Sequence, residues 1–349
     1  MTSSSFTLKW GIIATGGISQ TFTKDLITDP SKRNASGLQH VVTAVGSRSV
    51  SSAQKFINDI LSSTESKDAT PYGSYDEVFA DKDVDAVYIG TPHTMHYENT
   101  KAALLAGKHV LCEKHPIAYK LQEVIFSGKY GKVKRIFADL SNNIEPDRLE
   151  PTNRMIAPEL GGGALLDLGP YPMTMLLMHQ HPNNTKKAGP SSIVGHMVHY
   201  ARTGVDGHST WVLEWKDLGV AICTASITTA MSPQRSVIIQ LESAEVHIES
   251  PTYRPQSFTV IERPSKQSLT EGVKSALEKT HYDCPIPETD GRGMQYQADE
   301  VARCIRDGKK ESERCSLAES RIVMHVFDEV RRQGKYPIKE GKAGPPKGF

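Results

Sequence analysis

Short apolar runs alternate with amphipathic segments over the first third of the chain. The runs predict strands at residues 7–13, 41–45, near 72, 84–89 and 109–112. The segments between them predict helices at 18–26, 49–61, 95–106 and, as a short helix, from residue 74. Ser49 or Ser51 is the expected N-cap of the second helix, and Gly107 is the expected stop of the last. Strands that alternate with helices in this way predict an α/β fold with a doubly wound parallel sheet.

The pattern changes after residue 132, where several segments show period-two alternation and short turn-like links. Strands are predicted at 133–140, 196–200, 210–215, 220–228, 236–240 and 245–248. Helices return at 295–307 and 316–332. This part predicts a larger, mainly antiparallel sheet.

Chain length favours two domains, because a single core stops growing well below 349 residues. We expect a first domain at 1–117, a second at 118–333 and a loose tail at 334–349, which is rich in Gly, Pro and Lys.

Charge and cysteine usage narrow the class of protein. A net charge of +1 provides no global field for nucleic acid or an anionic membrane. No window approaches the roughly 18 apolar residues of a membrane span, and the N-terminus lacks the layout of a secretion signal. The five cysteines form no CxxC pair, so we expect reduced thiols and a cytoplasmic protein.

A glycine-rich turn follows the first predicted strand, in the sequence GIIATGGIS at residues 11–19. It departs from GxGxxG, since Ala14 stands at the first glycine position and Ser19 at the third, while Gly16 keeps the second. Such a turn brings backbone amides close to a pyrophosphate. The candidate contacts are Ala14, Thr15, Gly16, Gly17 and Ile18. The alternative is a tight strand-to-helix turn that binds nothing.

Ser47 and Arg48 end the second predicted strand, where an NAD site usually has a carboxylate for the ribose hydroxyls. A guanidinium can bind a 2′-phosphate through two hydrogen bonds, and a hydroxyl can add a third. This pair therefore favours NADP over NAD. The alternative is a solvated arginine at the sheet edge.

Thr91, Pro92 and His93 follow the fourth predicted strand and are expected to pass beside the nicotinamide. His93 and His96 have metal-ligand spacing, but no third ligand with matching spacing follows, so we predict no metal site. His96 is expected to cap or line this loop.

Two further groups are candidates for proton chemistry. Glu113 and Lys114 end the fifth predicted strand, where open α/β sheets form their ligand crevice. Of these two, Glu113 is a candidate cofactor contact and Lys114 a candidate for proton chemistry. Asp167 and Tyr171 follow three glycines, and their spacing predicts one face of a helical turn. A phenol can carry a proton during hydride transfer when a cation lowers its pKa. The alternatives are a surface salt bridge at Glu113 and a helix start packed on the sheet.

Four strings together resemble the Gfo/Idh/MocA oxidoreductase family, nearest its dihydrodiol and NADP-dependent xylose dehydrogenase branch. They are WGIIATGGIS, DAVYIGTPHTMHYENTKAALLAGKHVLCEK, LGGGALLDLGPYP and QYQADEVARCIRDGKKESER. The resemblance implies a Rossmann domain followed by an α/β domain with an open-faced, mainly antiparallel sheet, and a homodimer formed through that sheet. It also implies that Lys114 and Tyr171 are catalytic, that Asp167 binds substrate, and that Gly16, Ser47 and Arg48 hold NADP.

The chain departs from the family pattern in two places. His115 separates Lys114 from Pro116, where the family has the lysine and proline adjacent. A segment on the order of thirty residues, about one strand–helix unit, is missing after Ala118. Without it, we expect the fifth strand to form the edge of the sheet.

We therefore predict an NADP-dependent oxidoreductase that acts on a sugar, such as a D-xylose-like aldose, or on a vicinal diol. The alternative is a catalytically silent dinucleotide-binding sensor or scaffold of the same fold, which the missing segment and His115 would explain. A reductase of 1,5-anhydro sugars is a third possibility, because the same residues could serve it.

Overall fold

A computed structural model describes residues 5–33, 35–111, 118–177, 188–216, 219–263, 278–285, 291–313 and 315–336. The chain forms two compact units. The first comprises Met1–Pro116 and Pro285–Glu313, and the second comprises Ile117–Cys284 and Arg314–Phe349. The α-helices of the described residues are, in chain order, α1 (Gly17–Leu26), α2 (Val50–Ile60), α3 (Tyr75–Ala80), α4 (His96–Leu105), α5 (Ala118–Phe126), α6 (Ala164–Asp167), α7 (Pro170–Leu177), α8 (Gln295–Arg306) and α9 (Leu317–Gln333).

A parallel five-stranded sheet organises the first unit. Its strands are β1 (Phe6–Ile13), β2 (Leu38–Gly46), β3 (Thr70–Tyr72), β4 (Ala86–Ile89) and β5 (His109–Leu111). They pair in the order β3-β2-β1-β4-β5, with every described pair parallel. The predicted doubly wound sheet is confirmed, and β5 lies at its edge as expected.

Local signals in the sequence set several element boundaries in this unit. Ser49 caps α2 by accepting a hydrogen bond from the amide of Ser52, and Ser74 caps α3 in the same way from Glu77. Gly107 follows α4 with a φ of +77°, a conformation that glycine adopts without a steric penalty.

Aromatic side chains fill the core beneath β1. The fully buried Trp10 meets the edge of Phe22 with ring centroids 5.6 Å apart, and Phe22 stacks on Tyr88 at 3.8 Å. The indole nitrogen of Trp10 donates a hydrogen bond to Nδ1 of His40 at 3.0 Å, so its one polar atom is satisfied.

The first unit also includes α8, which the sequence places in the second domain. Ala298 and Ala302 of this helix are buried in the same core as Trp10. Asp299 forms two hydrogen bonds with Arg33, and His40 contacts the same carboxylate at 2.9 Å. Burial alone would raise the pKa of Asp299, but the hydrogen bonds from His40 and Arg33 lower it. The domain boundary expected from sequence order therefore differs from the one that the contacts define.

An eight-stranded sheet forms the centre of the second unit. Its strands are β6 (Val133–Ser141), β7 (Ser192–His199), β8 (Asp206–Trp215), β9 (Gly219–Ser226), β10 (Val237–Leu241), β11 (Ala244–Ile248), β12 (Ser257–Glu262) and β13 (Lys279–Asp283). They pair in the order β13-β12-β11-β10-β6-β9-β8-β7. The β6–β9 pair is parallel and the other described pairs are antiparallel, which confirms the predicted architecture.

Two strands of this sheet have no counterpart among the predicted elements. β12 has the sequence SFTVIE. β13 is a polar edge strand with the sequence KTHYD, so it shows no apolar alternation. An edge strand with one exposed side needs few apolar residues, which explains why the pattern missed it.

Among the described residues, helices cover one face of the large sheet, while the other, which we call the open face, carries half-buried or exposed apolar side chains. Helices α6, α7 and α9 pack on the covered face, where Trp211 meets the edge of Phe327 at 6.0 Å. On the open face, side chains aligned by strand register form an apolar row that is half-buried or exposed. This row consists of Val194, Val212, Ile222, Phe137 and Ile238. Within the described residues, no helix is long and apolar enough to cross a membrane.

Candidate functional site

The turn after β1 leaves room for a ligand at the start of α1. Ala14, at the first glycine position of the motif, has a φ of +74°, and its amide donates to the carbonyl of Gly46 at 3.0 Å. Gly16 precedes α1, and a Cβ added at Gly16 or Gly17 would meet no atom within 4 Å. The neighbouring Ile18 is 44% exposed. This open space above a helix N-terminus fits a pyrophosphate group.

The third position of the glycine motif is filled by Ser19, and the chain accommodates it through Gly90. Ser19 is fully buried in α1, and a Cβ added to Gly90 would lie 2.1 Å from its Oγ. Helix and strand therefore approach closely here because Gly90, rather than residue 19, lacks a side chain.

The end of β2 contacts the glycine turn through two hydroxyl groups. The buried Ser47 places its Oγ 3.2 Å from Oγ1 of Thr15. Arg48, the next residue, is exposed, and no acidic group of the described chain forms an ion pair with it. Hydroxyl donors and an accessible guanidinium beside the turn fit the 2′-phosphate of NADP.

Hydrogen bonds fix the loop after β4. The carbonyl oxygen of Thr91 contacts Nε2 of His96 at 2.7 Å, and its hydroxyl accepts a bond from Asn99 at 3.1 Å. The loop continues through Pro92 and His93 into a 3₁₀ turn, where the His93 and His96 rings meet edge to face at 6.1 Å. His96 therefore holds the loop, as expected from the sequence.

Glu113 and Lys114 lie outside the described residues, together with His115 and Pro116. The roles of Glu113 in cofactor binding and of Lys114 in catalysis stay predictions.

In the second unit, two of the three glycines before Asp167, Gly162 and Gly163, pack against protein atoms. A Cβ on Gly162 would lie 2.8–2.9 Å from backbone atoms of residues 154–157, and one on Gly163 would lie 2.1 Å from the carboxylate of Asp206. The chain itself therefore fills the space on the side of these two glycines where a side chain would stand. The predicted close approach of their backbone to a ligand stays a prediction. Gly161 and Gly163 also have positive φ values, +72° and +115°.

The carboxylate of Asp206 forms a hydrogen bond with the backbone at the start of α6. Its Oδ2 accepts hydrogen bonds from the amide of Leu165 and the hydroxyl of Ser209, both at 2.7 Å. Burial raises the pKa of Asp206 to about 6, although these hydrogen bonds act in the opposite direction.

Asp167 and Tyr171 lie on two successive helices rather than on one helical turn. Asp167 ends α6, and Tyr171 belongs to the first turn of α7. The predicted common helix is wrong, because turn residues Leu168 and Gly169 separate α6 from α7, and Pro170 has no N–H group to continue the helical hydrogen bonds.

Two further side chains lie beside these candidates. Nη1 of Arg154 lies 3.0 Å from Oδ1 of Asp167. The half-buried Tyr171 meets the ring of Tyr253 edge to face at 6.2 Å, and Tyr253 is 44% exposed. Neither Arg154 nor Tyr253 belongs to a motif, so sequence reasoning missed both. Only the fold brings them to Asp167 and Tyr171.

Comparisons with known proteins identify the class to which this fold and these sites belong. A family model for oxidoreductases with an NAD-binding Rossmann fold, GFO_IDH_MocA, matches residues 8–125. A model of the GFO/IDH/MocA C-terminal domain matches residues 119–247.

Relatives match over nearly the whole chain. D-xylose 1-dehydrogenase (NADP(+)) from Hypocrea jecorina is 36% identical over 379 aligned positions, covering 94% of this chain and 92% of the relative. Trans-1,2-dihydrobenzene-1,2-diol dehydrogenase from Danio rerio is 29% identical and covers 93% and 96%. The structure of a levoglucosan dehydrogenase, in complex with NADH and levoglucosan, shares the fold with a TM-score of 0.74, 14% identity, and coverage of 94% and 97%.

The chain belongs to the Gfo/Idh/MocA oxidoreductase family, and the resemblance drawn from its motifs is confirmed. The alignment with the Hypocrea jecorina relative is longer than this 349-residue chain, so the relative has residues without a counterpart here. A missing segment of the predicted kind is consistent with this difference.

Proposed function

We propose that this protein is an NADP-dependent oxidoreductase that transfers hydride between nicotinamide and a carbinol carbon of a sugar or a vicinal diol. The observation that carries the proposal is the 36% identity, over 94% of the chain, to a relative named as an NADP(+)-dependent D-xylose dehydrogenase. The Ser47 and Arg48 pair at the end of β2 supports the choice of NADP.

The residues of the first unit would bind and orient the cofactor. The open space at Gly16 and Gly17, at the N-terminus of α1, would hold the pyrophosphate, while Arg48 and the Ser47 hydroxyl are suited to the 2′-phosphate. The loop at Thr91, held by His96, would set one side of the nicotinamide site. NADP, when bound, supplies the hydride acceptor or donor.

Three further candidates, Tyr171, Lys114 and Asp167, would handle the substrate and the proton. In this proposal Tyr171 passes a proton to or from the substrate oxygen, and Lys114 is the cation that lowers the pKa of the phenol. Asp167 accepts a hydrogen bond from a neighbouring hydroxyl and so orients the substrate.

Steady-state kinetics on a panel of aldoses and vicinal diols, with NADP and NAD, test this function. We expect turnover with NADP, and a drop in kcat of about 100-fold or more for Tyr171→Phe and for Lys114→Met with nearly unchanged NADP affinity. Tyr200→Phe, which removes an exposed hydroxyl bonded to Asp147, is the matched control and should keep its activity. An unchanged kcat in Tyr171→Phe would refute the assignment of the proton carrier.

A second part of the same experiment tests the preference for NADP over NAD. Arg48→Ala should lower the preference for NADP over NAD about tenfold, equivalent to about 1.4 kcal/mol. A wild-type protein that prefers NAD by that factor would contradict the argument from Arg48.

A silent dinucleotide-binding protein is the second candidate, because the described sheet ends at β5 and the relative carries additional residues. NADP binding, measured by fluorescence, with no turnover on the whole panel would favour this candidate over the enzyme.

We also propose a homodimer formed through the open face of the large sheet, and a cytoplasmic location. The apolar row from Val194 to Ile238 supports the dimer, since it crosses five adjacent strands and its side chains are half-buried or, at Val194, exposed in the single chain. The cysteines of the described chain are all free, which supports a reducing compartment.

A further inference from the structure

An arginine is held against the carboxylate of Asp167. The two groups form an ion pair at 3.0 Å, with Arg154 57% exposed and Asp167 18% exposed at their side chains. The carboxylate is therefore mostly covered, while the guanidinium beside it remains accessible.

The backbone next to Arg154 is anchored at Met155. The amide of Met155 donates to Oδ1 of Asn153 at 3.0 Å, and the carbonyl of Met155 accepts from Gly163 at 2.9 Å. Ile156, two residues on, is fully buried. The guanidinium is thus presented from a fixed loop, which reduces the entropy lost when it binds a ligand.

The pair offers a hydrogen-bond donor and an acceptor side by side. A guanidinium has five N–H donors in a planar fork, and a carboxylate has two acceptor oxygens. Within the described chain Arg154 bonds only to Oδ1 of Asp167, so further N–H groups can reach a ligand. One hydroxyl of a ligand can donate to the carboxylate while its neighbour accepts from the guanidinium.

Charge decides which class of ligand fits. The paired side chains carry no net charge, so an anionic group that approached Arg154 would also face the carboxylate about 3 Å away. A neutral pair of adjacent hydroxyls satisfies both partners without this repulsion.

We propose that Arg154 is a specificity-determining residue that, together with Asp167, recognises two adjacent hydroxyls of a neutral polyol substrate. This inference rests on the proposed function for the choice of polyols as ligands.

Calorimetric titration of the full chain with NADP(+) present tests the inference, using D-xylose and its 2-, 3- and 4-deoxy analogues. In the wild type, removal of either of two adjacent hydroxyls should weaken binding about tenfold. In Arg154→Gln the penalty for one of these deoxy analogues should disappear, and in Asp167→Asn the penalty for its neighbour should disappear. A purely structural role would weaken all four ligands equally.

Arg148→Gln is the matched control, since Arg148 is 79% exposed and paired with Glu145 in the same loop region. This variant should keep the wild-type ratios. Unchanged ratios in Arg154→Gln, or a wild type that binds none of the sugars or does not discriminate among them, would overturn the inference. Tighter binding of D-xylonate than of D-xylose, lost in Arg154→Gln, would overturn it in favour of an anion site. Discrimination in binding without any turnover would refute the proposed function and leave this inference standing.

Discussion

Asp206 is a buried acid that serves the loop leading to Asp167. Its carboxylate holds the amide of Leu165 and the hydroxyl of Ser209, and it fills the space left by Gly163. The folded protein keeps it 3% exposed, and burial raises its pKa to about 6 from an ordinary value of 3.8. The same residue therefore orders the site and makes stability depend on pH.

The direction of that dependence follows from proton binding. Between about pH 4 and 6 the folded state holds a proton on Asp206 that the unfolded state releases, so stability should fall as the pH rises through this window. The loss amounts to at most about 3 kcal/mol. Asp206→Asn keeps an acceptor oxygen but cannot titrate, so it should remove this part of the slope.

Urea unfolding at a series of pH values from about 4 to 7 would measure the free energy of unfolding. Asp283→Asn, at an exposed carboxylate, should retain the wild-type slope. The same slope in wild type and Asp206→Asn would show that this carboxylate does not titrate in the window.

At the scale of elements, the contact between α1 and the end of β4 depends on a single pair of residues. Ser19 occupies the place where the motif usually has glycine, and Gly90 provides the missing volume from the strand side. Within the described residues the buried Ser19 hydroxyl has no hydrogen-bond partner, so its removal should cost little or stabilise slightly. The glycine turn thus keeps the close contact between helix and strand, with the glycine at position 90 instead of position 19.

A double-mutant cycle should detect the contact between Ser19 and Gly90. Gly90→Ala should destabilise the protein by about 1–3 kcal/mol, because the new methyl group collides with Oγ of Ser19. Ser19→Ala should recover part of this loss in the double variant, giving a favourable coupling energy from urea unfolding. Gly37→Ala is the control, since an added Cβ there meets no atom within 4 Å. Strict additivity of the two changes would contradict the proposed contact.

At the scale of the whole molecule, the chain leaves the first unit and returns to it. Asp25 accepts hydrogen bonds from the amides of Arg292 and Met294, and Asp299 binds Arg33 and His40. These buried acids hold the returning segment on the first unit, so the core of that unit is complete only after residues 285–313 have been made. The proposed homodimer would bury the open face of the other sheet.

Phe137 lies in the middle of the apolar row on that open face. Phe137→Glu should shift the protein to monomer in sedimentation velocity, because it places a charge within the apolar surface that we expect the dimer to bury. Leu105→Glu makes the same kind of change at a 79% exposed position on α4 and should leave the mass unchanged. A wild type that sediments as a monomer at all concentrations would refute the dimer.

The sequence by itself determined the features that depend on neighbouring residues. Apolar runs and caps such as Ser49 and Ser74 located the strands and helices of the parallel sheet, because period and capping are local properties. The glycine turn and the Ser47 and Arg48 pair were likewise visible, since each lies at the end of a recognisable strand.

Only the tertiary structure decided which distant residues meet. It joined α8 to the first unit, placed Arg154 on Asp167 and Tyr253 on Tyr171, and filled the space beside Gly162 and Gly163 with the chain's own atoms. It also added β13, whose polar residues pair only because β12 lies beside them. Each of these contacts depends on long-range packing, which leaves no periodic trace in the local sequence.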